Sequence, residues 1–333
     1  MERQIKERLN DEILQAAMQR YAIPGDQIWP MDAFESFIYE FKRDSQSFIL
    51  RLGHSLRRTE ALVQGEIDWI NYLADHGVSV ARAIYSQNGK LVEVVEDRQG
   101  GQFLAVAFVK VSGRPPWNVG WTPALYEAYG RLLGQMHFLT AQYQPTDPAW
   151  KRPDWDDELF EFVERYLPAS EHLAKEKYRN LCAYLHGLPK NRQCYGLIHQ
   201  DAHGSNMFVD QAGRLALFDF DDCAYSWFIN DIAIALFYIA LDADDPPTFT
   251  RHFMTHFLHG YRQVQPLDPD WLREIPNFLK LREIELYGVI HRDFDVRQID
   301  DPWCARFMQG RKEKIENDIP FIDFDFSSLK RRG

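Results

Sequence analysis

The sequence predicts an α+β fold, with a β-rich N-terminal part to about residue 108 and a mainly helical part from residue 109 onward. Three observations carry this expectation. Strand-length apolar segments with polar or glycine-containing turns crowd the chain between Phe34 and Val111. Apolar periodicity near 3.6 residues dominates after Thr122. A hairpin pattern from Met207 to Phe218 then interrupts the helical part.

Taken in order, Glu2 to Arg20 carries apolar residues at Ile5, Leu9, Ile13, Leu14, Ala17 and Met18, which predicts an amphipathic helix, broken by Tyr21 to Asp26. Phe34 to Phe41 and Ser47 to Leu52 read as two strands around a polar turn at Lys42 to Gln46. Thr59 is placed to cap a helix whose apolar side is Leu62, Ile67, Trp69, Ile70 and Leu73, ending at His76-Gly77. Strands are expected at Arg82 to Tyr85, Leu91 to Glu96 and Phe103 to Val111, the last running into Ser112-Gly113-Arg114-Pro115-Pro116. Thr122-Pro123 opens a helix to about Gln142. Helical patterns follow at Trp155 to Leu185, Asp231 to Leu241, Thr248 to Tyr261, Trp271 to His291 and Asp301 to Ile315. Pro276 predicts a kink or a later start in the fourth of these.

Chemistry concentrates between Cys194 and Asp222. A short apolar run ends at His199, a polar loop holds Asp201 and Asn206, and two further runs, Met207 to Val209 and Leu215 to Phe218, flank a turn at Asp210 to Gly213. The third run leads into Asp219-Phe220-Asp221. His199-x-Asp201-x-x-x-x-Asn206 followed by an Asp leaving a strand is the pattern that phosphoryl transfer from a metal nucleotide requires: one carboxylate for the attacking hydroxyl, an Asn and an Asp for the cation. Mg²⁺ takes oxygen ligands and needs only one or two from the protein. The same residues leave two other readings open. His199, Asp201 and His203 with Asp219, Asp221 and Asp222 would suit a transition-metal hydrolytic site, and a polar loop whose His and Asp only cap turns would show the same letters.

His-Gln-Asp-Ala-His-Gly-Ser-Asn at 199–206, then Leu217-Phe218-Asp219-Phe220-Asp221-Asp222 and Asn230-Asp231-Ile232-Ala233, resembles the aminoglycoside phosphotransferase and choline kinase family, small-molecule relatives of the protein kinases. The octet there commonly reads H-G-D-x-H-x-x-N, so Gln200, Gly204 and Ser205 depart from the commonest residues. The resemblance implies a two-lobed protein-kinase-like fold: a small lobe, 1–108, of antiparallel sheet plus helix that covers the nucleotide, and a helical lobe, 109–333, with the catalytic loop, metal site and acceptor site. It implies Asp201 as catalytic base, Asn206 and Asp219 as Mg²⁺ ligands, Asp221 as a second metal contact, and His199 and His203 in support. Arg51 stands where much of the family has the phosphate-clamping Lys, with Glu66 as its partner. Val109 and Val111 take adenine through their backbone, and Ser36 lies in a glycine-free loop, Met31 to Phe37, over the phosphates. His137 and Asp231 match structural positions.

The implied reaction moves the γ-phosphoryl group of ATP, or of GTP, to a hydroxyl of a small molecule of aminoglycoside, choline, ethanolamine or amino-alcohol type. Asp242, Asp244, Asp245, Glu283, Glu285 and Asp293 are the acidic residues available to a cationic acceptor. Two rivals are a metal-dependent hydrolase built on His199, Asp201 and His203, and a nucleotide-binding homologue without catalysis. A protein kinase is disfavoured, because neither G-x-G-x-x-G nor an A-P-E segment is present.

Composition narrows the partners. The net charge of −11, from 38 basic and 49 acidic residues, argues against a nucleic-acid backbone. No apolar run reaches the ~20 residues of a membrane span, and Met1 to Glu7 lacks the apolar stretch of a secretory signal, so a cytoplasmic protein without a membrane partner is expected. Cys182, Cys194, Cys223 and Cys304 show no metal or redox spacing.

Overall fold

The computed structural model describes residues 3–33, 35–241 and 243–330. Glu2, Phe34 and Asp242, which carry expectations above, lie outside the described residues. The first elements are α1 (Arg3–Lys6), α2 (Asp11–Arg20), β1 (Ile28–Met31), β2 (Phe37–Arg43), β3 (Gln46–His54), α3 (Glu60–Asp75), β4 (Ala83–Ile84), β5 (Glu93–Glu96) and β6 (Gln102–Val109). Next come α4 (Pro116–Val119), α5 (Pro123–Thr140), α6 (Phe162–Tyr166), α7 (His172–His186), β7 (Tyr195–Ile198), β8 (Met207–Val209), β9 (Leu215–Leu217) and β10 (Ala224–Trp227). The chain closes with α8 (Phe228–Ala240), α9 (Pro246–Arg262), α10 (Ile275–Asp293), α11 (Pro302–Met308) and α12 (Arg311–Glu316). None of the described helices is long and apolar enough to cross a membrane.

The chain forms two compact units. The first takes residues up to Val119, Gln142–Arg152 and Met207–Asp221. Its antiparallel sheet has the order β1-β2-β3-β6-β4, with β5 also on β6. Ile13, Ala17 and Met18 of α2 join Phe41, Leu50, Phe103 and Ala105 of the sheet in one core. The expected N-terminal helix is split, because the Asn10 side chain accepts from the Ile13 amide at 3.1 Å and starts α2 afresh. The first hairpin is tighter than expected: Arg43 pairs with Gln46, and the two residues between them, Asp44 and Ser45, both adopt positive φ, the turn that suits the strand twist. β1 was not anticipated; its Pro30 sits on the sheet edge, where a missing amide costs no ladder bond. Thr59 caps α3 as expected, its Oγ1 accepting from Leu62 at 3.3 Å. The hairpin β8–β9 pairs Met207 with Leu217 and Val209 with Leu215. It is tied to the rest of this unit by the Ala81 amide on the Leu217 carbonyl, 2.9 Å, and by Arg114 and Val209, whose amides donate to each other's carbonyls.

The second unit takes Gly120–Ala141, Pro153–Asn206 and the chain from Asp222 onward. Its centre is α8, buried along nearly its whole length, with α10 against it. β7 pairs antiparallel with β10, a partner the sequence reading missed. The expected long helix from Trp155 to Leu185 is broken into α6 and α7 around Pro168, which cannot continue a helix. Pro276 lies in the first turn of α10, so the helix starts late rather than kinks. Gly310, with φ 64°, separates α11 from α12.

Candidate active site

In the helical unit β7 delivers its last residues into a strained turn. Gln200 has φ 65° at the place where the resembling octet commonly has glycine, and a left-handed side chain costs about 1–2 kcal/mol. Asp231, near the start of α8 and fully buried, holds the turn in that shape. Its carboxylate accepts from the amides of His199 (3.0 Å) and Gln200 (2.8 Å) and lies 3.1 Å from His137 Nε2. His137 in turn meets the Tyr261 hydroxyl at 2.8 Å through Nδ1. His137 is thus a satisfied core residue, and Asp231 is the clamp that presents the next residue, Asp201. A buried carboxylate with three donors replaces the water it has lost.

Asp201 is surrounded by donors. Asn206 Nδ2 donates to its carboxylate at 2.8 Å and to its backbone carbonyl at 3.0 Å. His203 Nε2 lies 3.2 Å from Oδ2, and Arg282 Nη2 donates to Oδ1. Burial by itself would raise the Asp201 pKa, but His203, Arg282 and His199 overcome it and hold the carboxyl well below the usual range. Tyr129 supports the loop by donating to the Ala202 carbonyl. His199 Nδ1 accepts from the Asp201 amide (3.3 Å) and His203 Nδ1 from the Ser205 amide (3.1 Å), so each imidazole shapes the loop with one nitrogen. Among the described residues no three His, Cys, Asp or Glu are grouped to hold a metal ion. Asn206 spends its NH₂ on Asp201, which leaves its amide oxygen as a hard donor, the type a Mg²⁺ or Ca²⁺ ion takes.

In the sheet unit, Arg51 on β3 and Glu66 on α3 form a buried fork: Nη1 to Oε1 at 2.8 Å and Nη2 to Oε2 at 2.6 Å. Burial disfavours the Arg51 charge, and Glu66, with Asp221 and Asp219 beyond it, more than restores it. A small pocket beside this pair is lined by Ser36, Arg51, Gly53, Arg57, Arg58 and Asp221. Asp219 adopts φ 62°, the second left-handed non-glycine residue of the motif, and supplies carboxylate oxygens of the same hard type as Asn206. Asp221 lies among cations. Arg57 donates to its carboxylate, Arg58 Nε lies 3.5 Å away, and Arg152 donates to its carbonyl at 2.7 Å. These cations, with Arg51, override burial and hold the Asp221 carboxyl far below its ordinary pKa. Arg57 also reaches Glu35 of the 31–37 loop at 3.0 Å. The Val109 amide is spent on the Arg82 carbonyl at 2.8 Å within the sheet, and Val111 is half-buried just past β6.

Three of the acidic residues expected to face a cationic acceptor are engaged within the protein. Glu283 is buried between Lys280 and Arg311, each at 2.5 Å, Asp293 pairs with Arg292 at 2.8 Å, and Asp245 caps α9 through Thr248. Glu285 is buried, and burial, reinforced by Asp222 and opposed by Arg282, pushes its carboxyl up to about 7. The residue that does sit beside Asp201 from these helices is Arg282, which no motif flagged.

A family model described as the phosphotransferase enzyme family matches residues 34–274. Amicoumacin kinase of Bacillus subtilis (strain 168) is 38% identical over 96% of this chain and 96% of that one. An amicoumacin kinase solved in complex with AMP-PNP, Ca²⁺ and Ami is 37% identical, covers 99% of this chain and 100% of its own, and superposes with a TM-score of 0.94. A microcompartment-associated aminopropanol kinase, 20% identical over 93% of this chain and 98% of its own with a TM-score of 0.73, shares the fold. The pinned Asp201 loop, the Arg51–Glu66 fork and these likenesses converge: the chain belongs to the phosphotransferase enzyme family and is a small-molecule kinase of protein-kinase-like fold.

Proposed function

We propose that this kinase moves the γ-phosphoryl group of ATP, or of GTP, to a hydroxyl of amicoumacin or a molecule built like it. The observation that carries the reading is Asp201, presented by a strained turn that Asp231 clamps and oriented by Asn206, His203 and Arg282. The near full-length likeness to amicoumacin kinase supports the acceptor.

Residues 1–108 would cover the nucleotide, with the Arg51 fork on its phosphates and Ser36 and Val111 as further contacts; residues 109–333 would carry the catalytic loop and the acceptor. Asn206 and Asp219 would hold a divalent cation, Mg²⁺ foremost, which neutralises charge on the phosphate oxygens. Asp221, against which Arg57 and Arg58 lie, would make the second metal contact. In the step itself the acceptor oxygen bonds to the γ-phosphorus as the bond from that phosphorus to the β–γ bridging oxygen breaks. The hydroxyl proton passes to Asp201 and on to solvent. A carboxylate of such low proton affinity suits a loose transition state, in which orienting the hydroxyl matters more than removing its proton early.

The test is incubation of the purified protein with Mg²⁺, ATP and amicoumacin, read by mass spectrometry as gain of one phosphoryl group. Asp201→Asn is expected to lower turnover by roughly 10²-fold or more, the scale of a lost general base, while nucleotide still binds. Full activity of that variant removes Asp201 from the reaction; no transfer by the wild-type protein removes amicoumacin as acceptor.

A further inference from the structure

The guanidinium of Arg282 touches Asp201, the residue assigned to the acceptor hydroxyl. Arg282 rises from α10, and its Nη2 donates both to Asp201 Oδ1 and, at 2.7 Å, to the Tyr238 hydroxyl. Its Nε is buried without a hydrogen-bond partner. The Tyr238 ring lies under the guanidinium, 5.3 Å to the centroid, and packs against His203 at 4.3 Å and Trp303 at 6.1 Å. Glu285 of the same helix interacts with the guanidinium, and burial pushes that carboxyl up to about 7.

Arg282 sets a positive charge against the base, while Glu283 and Asp293 of the same helix are held by Lys280, Arg311 and Arg292. A hydroxyl within hydrogen-bond reach of Asp201 is attached to a carbon whose next substituent comes within reach of the same guanidinium. An ammonium in that place meets repulsion. A carbonyl or carboxylate oxygen finds a donor with spare N–H capacity on a rigid fork.

We propose that Arg282 is a specificity-determining residue: it selects acceptors whose reacting hydroxyl stands next to a carbonyl or carboxylate carbon, and selects against those with a neighbouring ammonium. This rests on the assignment of Asp201 above. It sets the chain apart from the amino-alcohol acceptors that the sequence motif alone admits.

A matched pair of probes tests it: 2-hydroxypropanamide and 1-amino-2-propanol, which share the carbon skeleton and the hydroxyl and differ in carbonyl against ammonium beside it. Each is measured, with Mg²⁺-ATP present, as acceptor and as inhibitor of phosphoryl transfer to amicoumacin. The wild-type protein is expected to favour the amide by about tenfold or more, the weight of one charge-assisted hydrogen bond. Arg282→Gln is expected to abolish that ratio, and Arg282→Lys, which keeps the charge but not the fork, to retain part of it. A structural defect in either variant would weaken both probes alike and leave the ratio in place. Preference for the amino alcohol, an unchanged ratio in Arg282→Gln at matched Tm, or failure of both probes to engage the wild-type protein overturns the proposal. If the wild-type protein neither binds Mg²⁺-ATP nor phosphorylates any acceptor, it is the kinase reading that has failed.

Discussion

Glu285 shows how a single buried carboxyl sets a pH dependence. Its pKa rises from 4.5 in the unfolded chain to about 7 in the fold, chiefly through burial. The folded state therefore holds a proton that the unfolded chain gives up between those pH values. Stability from this group is full below about pH 4.5 and is lost as pH rises through about 7, a change of about 3 kcal/mol. Glu285→Gln, which stays neutral, is expected to match the wild-type protein near pH 5 and to exceed it in chemical denaturation near pH 8. Parallel pH profiles for the two proteins would refute this. Gln200 is the complementary case of local strain: a left-handed glutamine is held by the His199 and Gln200 amides donating to the Asp231 carboxylate.

At the scale of elements, α5 and α9 come together through glycine. A Cβ on Gly130 would lie 1.9 Å from the Phe257 carbonyl oxygen, and one on Gly260 would lie 1.9 Å from that of Glu127. Neither oxygen is a flexible side chain that moves aside, so an added methyl must push the helices apart. Gly130→Ala is expected to destabilise by roughly 2 kcal/mol or more, beyond the small gain in helix propensity. Gly25→Ala, where a Cβ meets nothing within 4 Å, is the control and should leave Tm nearly unchanged. Equal Tm values for the two variants would show that the helices separate without cost. This close approach also seats Tyr261, and through it His137 and Asp231, so the packing of two helices reaches the turn at Gln200.

For the whole molecule the clearest expectation concerns linkage to the nucleotide. A ligand that binds only the folded protein stabilises it by about 2.7 kcal/mol at a hundred times its Kd. Mg²⁺-ATP should therefore raise Tm by several degrees, and Asp219→Ala should remove most of that rise, measured against the variant's own unliganded Tm. An undiminished shift in Asp219→Ala would take Asp219 out of the metal set. A full shift with EDTA in place of Mg²⁺ would mean that the nucleotide binds without the cation.

The sequence by itself determined the division into a β-rich and a helical part, the hairpin at 207–217 and the residue pattern of the 199–206 loop, because those depend on local periodicity, turn chemistry and short spacings. The pairing of Arg51 with Glu66 was also legible, since a strand and the helix after it bring basic and acidic residues fifteen positions apart into reach. The strands β1 and β10 were not: four-residue strands owe their state to the neighbours they pair with, not to propensity. The acidic residues of the C-terminal helices looked available for a cationic acceptor, and only tertiary structure showed Glu283 and Asp293 neutralised by nearby arginines and a lysine. The same holds for Arg282. Its distance from Asp201 along the chain is eighty-one residues, and no spacing rule spans it. Whether a charged side chain faces solvent, a partner or a substrate is set by the packing of distant helices, so the residue pattern of the 199–206 loop was readable from sequence and its electrostatic surroundings were not.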